Sequence, residues 1–221
     1  MSRRPPPPPP PANLRVILDG LARMLPEPRC ELDFHDPFEL LIATQLSAQS
    51  TDVMVNKVTP ELFRRWPHPQ ALAAADPAEV EAVLRPTGFF RQKTRNAIAT
   101  ARLLVEHHAG KVPPRMEDLL TLPGVARKTA NVVLGTAFDI QSGVTVDTHM
   151  LRVTRRWGWH TGETPERLEE RLMAWVPRAE WSRFGHRGVL FGRYHCTARA
   201  PRCGACPLAS ACPVGRGEAA A

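Results

Sequence analysis

The chain has 221 residues, of which 43% are hydrophobic, and a formal net charge of +7. That length is enough for one or two buried cores, and no apolar run reaches the roughly 18 residues a membrane span requires, which excludes a helical membrane protein. The excess of cations points to a polyanionic partner such as nucleic acid, because neutralised phosphates release counterions.

Taken in chain order, Met1-Ser2-Arg3-Arg4 is followed by seven prolines and by no hydrophobic region. This is not a secretory signal, so the expected location is the cytoplasm. Residues 1–12 have little to bury and are expected to be a disordered or polyproline II head. Apolar residues at helical spacing predict a helix from Leu14 to Leu25. Asp36-Pro37-Phe38-Glu39 has the form of a helix start, with a cap, a proline in the first turn and a glutamate reaching back. Asp76-Pro77-Ala78-Glu79 repeats it. Further helices are expected over Gln92–His107, Met116–Thr121, about Val125–Ala137, after Thr164-Pro165, and Trp181–His195. Val144-Thr145-Val146 is the best strand-like fragment and it is short, so the expected fold class is all-α.

Arginine supplies 25 of the 29 basic side chains, and the four lysines are Lys57, Lys93, Lys111 and Lys128. Lys128 follows the turn Leu122-Pro123-Gly124-Val125-Ala126. Gly124 permits positive φ and close backbone approach. The free N–H groups of the next helix start suit a phosphate. The same positive helix end disfavours a protonated amine, which is what a nucleophilic lysine requires. The alternative is a plain connector with a solvated Arg127-Lys128 pair. Downstream, Asp147 in Val146-Asp147-Thr148-His149 reads as an N-cap, and equally as a carboxylate beside a cleaved sugar. Capping would hold such a carboxylate fixed. His149 is either a phosphate contact or a polar residue of the first turn.

Of five cysteines, Cys30 stands alone, while Cys196, Cys203, Cys206 and Cys212 fall within 17 residues. This spacing points to metal, either zinc or an iron–sulfur cluster. Arg199 and Arg202 lie in the first intercysteine loop, where guanidiniums can contact phosphate.

Hairpin, lysine, aspartate and cysteines in this order resemble the bacterial endonuclease III family of the helix-hairpin-helix DNA glycosylases. The likeness covers nearly everything after residue 12. Its markers are Leu46-Ser47-Ala48-Gln49-Ser50-Thr51-Asp52, Leu122–Leu134, Val146–His149, Gly192-Arg193-Tyr194 and the cysteines. The resemblance implies two helical domains flanking a DNA-binding cleft. Residues 30–140 would form a six-helix domain, and residues 13–29 with 141–221 an iron–sulfur domain ending in a 4Fe-4S cluster loop. It implies a monomeric, nucleoid-associated base-excision repair enzyme, both DNA N-glycosylase and abasic-site lyase, acting on damaged pyrimidines in double-stranded DNA. Lys128 would be the nucleophile and Asp147 the essential carboxylate. Gln49 would fill the gap left by an extruded base, and Phe89 would be an apolar wedge, with core packing as its alternative. Leu122, Gly124, Val125, Ala126, Arg127, His149, Arg199 and Arg202 would contact DNA. Ala126 departs from the family's usual Gly-Val-Gly, and its methyl group would crowd a phosphate. The rival readings are a monofunctional adenine or mismatch glycosylase, a non-catalytic iron–sulfur DNA-binding protein, and a zinc-stabilised binding module.

Overall fold

A computed structural model describes residues 8–218. Among them are α1 (Leu14–Met24), α2 (Pro37–Leu46), α3 (Asp52–Arg65), α4 (Pro69–Ala73), α5 (Pro77–Leu84), α6 (Phe90–His108), α7 (Met116–Leu119), α8 (Arg127–Ala137), α9 (Thr148–Arg156), α10 (Pro165–Trp175) and α11 (Trp181–Tyr194), with no strand. The chain divides into two compact units. One comprises residues 30–140, and the other comprises the segment up to Arg29 together with the segment from Gln141 onward.

In the unit of residues 30–140, α2 is central. Leu40, Leu41 and Ile42 are fully buried, and apolar residues on every side of a helix are what full enclosure requires. Its start is fixed locally. Asp36 Oδ1 accepts from Glu39 N at 2.9 Å, and Glu39 Oε2 accepts from His35 N at 2.7 Å, so the glutamate does reach back. Asp76 caps α5 in the same way, accepting from Ala78 N at 2.8 Å. Truncating Leu41 to alanine would cost about 2–5 kcal/mol through the cavity left behind.

In the other unit, an aromatic cluster forms the core. The Trp157 and Trp159 rings are 4.9 Å apart, and Trp157 also lies against Phe191 at 5.9 Å. Asn13 ties the start of α1 into this core. Its Nδ2 donates to the carbonyls of Trp157 and Ala211, and its Oδ1 accepts from Trp159 Nε1.

Val144 and Val146 are buried and, among the described residues, form no strand, in line with the all-α expectation. Two features differ from the sequence expectations. The helix expected from about Val125 begins at Arg127, since Ala126 is extended (φ −96°, ψ 172°). Two helices, α3 and α4, stand where no helix was expected. Of the proline-rich head, residues 1–7 lie outside the described residues. Pro8 is held by Trp175, whose Nε1 donates to its carbonyl at 2.8 Å.

Candidate active site

The turn between α7 and α8 is built from inside. Leu122 and Val125 are buried, and their amides are spent on Leu119 and Leu122 carbonyls at 3.1 Å each. The turn is also pinned by a polar residue of α2. Gln45, 7% exposed, donates from Nε2 to Pro123 O at 2.7 Å and to Thr100 Oγ1 at 2.9 Å. Leu122 and Val125 are therefore the hairpin's own packing. The exposed amides of Gly124 and Ala126, with the first-turn amides of α8, are the groups that can meet a phosphate.

Gly124 is required by its backbone. Its φ is +74°, whereas the contact a Cβ would make, 2.5 Å from Asn96 Nδ2, is with a side-chain end that can move. Ala126, exposed and extended, is in a conformation any residue adopts. Its methyl group strains no backbone and bears on what approaches the turn. Arg127 and Lys128 are both exposed, so the Lys128 amine is accessible in the first turn of α8.

Gln49 and Phe89 share a backbone peculiarity. Both are non-glycine residues at positive φ, +54° and +48°. For a bulky aromatic that is an outlier, and such strain persists only where the surroundings impose it. Phe89 is 68% exposed, so the core-packing alternative fails for it. Its neighbour Phe90 packs instead, against the core and under the guanidiniums of Arg85 and Arg91 at 5.6 Å each.

In the other unit, Asp147 caps α9. Its Oδ1 accepts from His149 N at 2.8 Å and Met150 N at 2.9 Å. One oxygen thus serves as the cap, and Oδ2 remains for a ligand. His149 is half-buried. Burial, and less so the cations Arg152 and Arg193, lower its pKa against the pull of Asp147. Arg152 Nη2 lies 3.1 Å from His149 Nδ1. A guanidinium only donates, so Nδ1 is the acceptor and Nε2 carries the proton.

The four clustered cysteines line one pocket together with Arg156, His195 and Arg202. Burial first, and then their mutual repulsion, push the Cys206 and Cys212 thiols up, so four thiolates here need a cationic group among them. Among the described residues, no three His, Cys, Asp or Glu side chains converge as ligands of one ion. Four thiols lining one pocket are the donor set that a thiolate-bound metal or cluster requires. The buried His195 Nε2 has no hydrogen-bond partner, as expected of an atom facing such a group.

The loop is also held by protein. Arg156 donates to Cys196 Sγ at 3.1 Å and to the carbonyls of Thr197 and Ala198 at 2.7 and 2.9 Å. Arg199 and Arg202 are exposed. Sequence reasoning passed over Gln45 and Arg156. A glutamine inside the apolar run Leu40–Leu46 was a usable signal for Gln45. Nothing in the sequence marks Arg156 among 25 arginines.

Comparison with known proteins bears on the family of the chain. The model of the HhH-GPD superfamily base excision DNA repair proteins matches residues 42–178. Endonuclease III of Synechocystis sp. is 51% identical over 197 residues, covering 89% of this chain and 90% of that protein. Endonuclease III of Escherichia coli is 44% identical over 196 residues, covering 89% of this chain and 92% of its own length. Among solved structures, a trapped endonuclease III–DNA covalent intermediate superposes with a TM-score of 0.88 at 43% identity, covering 92% of this chain and 96% of that one.

Proposed function

The chain belongs to the HhH-GPD superfamily of base excision DNA repair proteins, within its endonuclease III family, and from that premise we propose which of its residues carry the chemistry of a DNA glycosylase and abasic-site lyase. The substrate is double-stranded DNA holding a damaged pyrimidine. Damage weakens stacking and pairing, so such a base is the least costly to extrude.

Lys128 is the nucleophile. Its neutral amine bonds to C1′ of the sugar while the N-glycosidic bond breaks, and the base leaves with the electron pair and takes up a proton. Ring opening gives a Schiff base between Nζ and C1′. Loss of a C2′ proton then expels the 3′ phosphate by β-elimination, and hydrolysis frees the amine. Asp147 stabilises the positive charge that develops on the sugar, using the oxygen that capping leaves free. The amides of Gly124 and Ala126 bind a backbone phosphate, with Arg127, Arg199, Arg202 and His149 as further contacts. Gln49 occupies the vacated space and Phe89 enters the stack beside it. On this reading the place of action is the nucleoid.

Cys196, Cys203, Cys206 and Cys212 would hold a 4Fe-4S cluster. That group, when bound, cross-links the loop and supplies the charge that keeps four thiolates together. The chain's own Arg156 then orients the segment carrying Arg199 and Arg202. Broad visible absorbance that is lost in Cys203→Ser is the expected signature. Colourless protein containing zinc would contradict the assignment.

The observation that carries this reading is the exposed Lys128, in the first turn of α8 behind a left-handed glycine turn. The test is an oligonucleotide with one oxidised pyrimidine, assayed for base release and for strand scission without alkali. Both are expected together. Base release without scission would favour the monofunctional reading.

A further inference from the structure

One buried lysine has no part in this chemistry. Lys93 is 6% exposed, and burial lowers its pKa. Its Nζ donates to the carbonyl of Thr87 at 2.8 Å. Among the described residues the ammonium has no carboxylate partner and no second acceptor. A buried cation so thinly satisfied is a poor contribution to stability, and an apolar side chain of the same length would suit the site better. Its retention calls for another explanation.

The geometry of the loop supplies one. Lys93 grips both ends of the segment that displays Phe89. Its side chain holds the Thr87 carbonyl on one flank, and its backbone N–H donates to Phe89 O at 3.1 Å on the other. Between these two anchors stand Gly88 and Phe89, both left-handed at φ +67° and +48°. A second clamp, Thr87 Oγ1 to Leu84 O at 2.8 Å, fixes the entry. Among the described residues, no atom beyond the chain neighbours lies within 4 Å of a Cβ built on Gly88, so no side chain packs on the turn at that point, and hydrogen bonds tie both of its ends. An aromatic side chain at positive φ is disfavoured, and without the tie the loop would relax toward ordinary backbone and swing the ring away.

We propose that Lys93 is a positioning residue, whose buried ammonium locks the left-handed Gly88-Phe89 turn and thereby presents Phe89 to the DNA stack. This rests on the reading of Phe89 as the wedge, and the test separates the two. Lys93→Met keeps the length of the side chain and removes the donor. The readouts are single-turnover base release and the emission of a 2-aminopurine placed opposite a non-cleavable abasic analogue, which rises when that base is unstacked. Phe89→Ala and Lys93→Met are each expected to slow base release about tenfold and to blunt the emission rise, because misplacing a positioning group is costly. The melting temperature of Lys93→Met should match or exceed the parent's. In the double variant the losses should not multiply, since both act through one ring; independent effects would reach about 100-fold. Should Lys93→Met not be recovered folded, Lys93→Leu, which also lacks a donor, carries the same comparison. A Phe89→Ala variant with parental rates and emission would sink the wedge reading and this proposal with it. A crippled Phe89→Ala beside an unimpaired Lys93→Met, or losses that multiply, would overturn the Lys93 proposal alone.

Discussion

Asp147 is given two jobs, and a pair of substitutions separates them. As a cap it accepts hydrogen bonds from His149 N and Met150 N through Oδ1. Asparagine can accept the same two bonds, whereas alanine cannot. Loss of such a cap costs about 1 kcal/mol. In a protein of this size that lowers the melting temperature by about 2–4 °C. Asp147→Asn forfeits only the favourable interaction of a negative charge with the helix start, roughly 0.3–1 kcal/mol, so its shift should be the smaller. Catalysis should not follow this order. Both variants lack the negative charge, and both should lose at least about 100-fold in single-turnover base release. The assay is that rate on a lesion-bearing duplex, paired with thermal denaturation of each variant. If Asp147→Asn retains near-parental rates while Asp147→Ala does not, the carboxylate is a cap and nothing more, and the reasoning fails.

Three further outcomes are expected. Gly124→Ala should destabilise the protein by more than about 1 kcal/mol, from the left-handed backbone alone, and should weaken binding to abasic-analogue duplex, as read by melting and by fluorescence anisotropy. Ala126→Gly should raise stability by roughly 0.5–1 kcal/mol, since glycine is the better N-cap, and tighten binding in the same anisotropy assay; unchanged affinity would show that the methyl group crowds no phosphate. The third concerns pH. Burial lowers the pKa of His160 below 6.5, and its ring Nδ1 accepts from Glu163 N at 3.3 Å. The unfolded chain thus binds the proton more readily than the folded one, so this contribution is intact above about pH 6.5 and is lost as the pH falls below it. The melting temperature should drop between pH 7 and pH 5, and His160→Gln should flatten that drop.

Much of the helical fold was legible because its signals are local. Asp36, Asp76, Asp147 and Thr164 each cap the helix that their spacing announces. The helix α3 was not legible. Its buried residues Val55, Val58 and Leu62 have helical spacing, but Pro60 stands among them and reads as a break. The residues proposed to react were legible in kind, since an amine after a glycine turn and four close cysteines are chemically unusual. The pair Phe89-Phe90 was not divisible by sequence. Only the backbone shows that the first ring stands at positive φ in solvent and that the second is held between two arginines. Gln45, Lys93 and Arg156 act through contacts distant in sequence or through carbonyl groups, and carbonyl groups leave no trace in residue identity.

The central claim is that the Lys128 amine becomes covalently joined to C1′ during turnover. Borohydride added during reaction with a lesion-bearing duplex reduces such a Schiff base to a stable amine. Digestion and mass analysis then locate the bond. The account predicts one adduct, carried by the peptide that contains Lys128 and absent in Lys128→Ala. An adduct on another residue, or strand scission without an adduct, would contradict it.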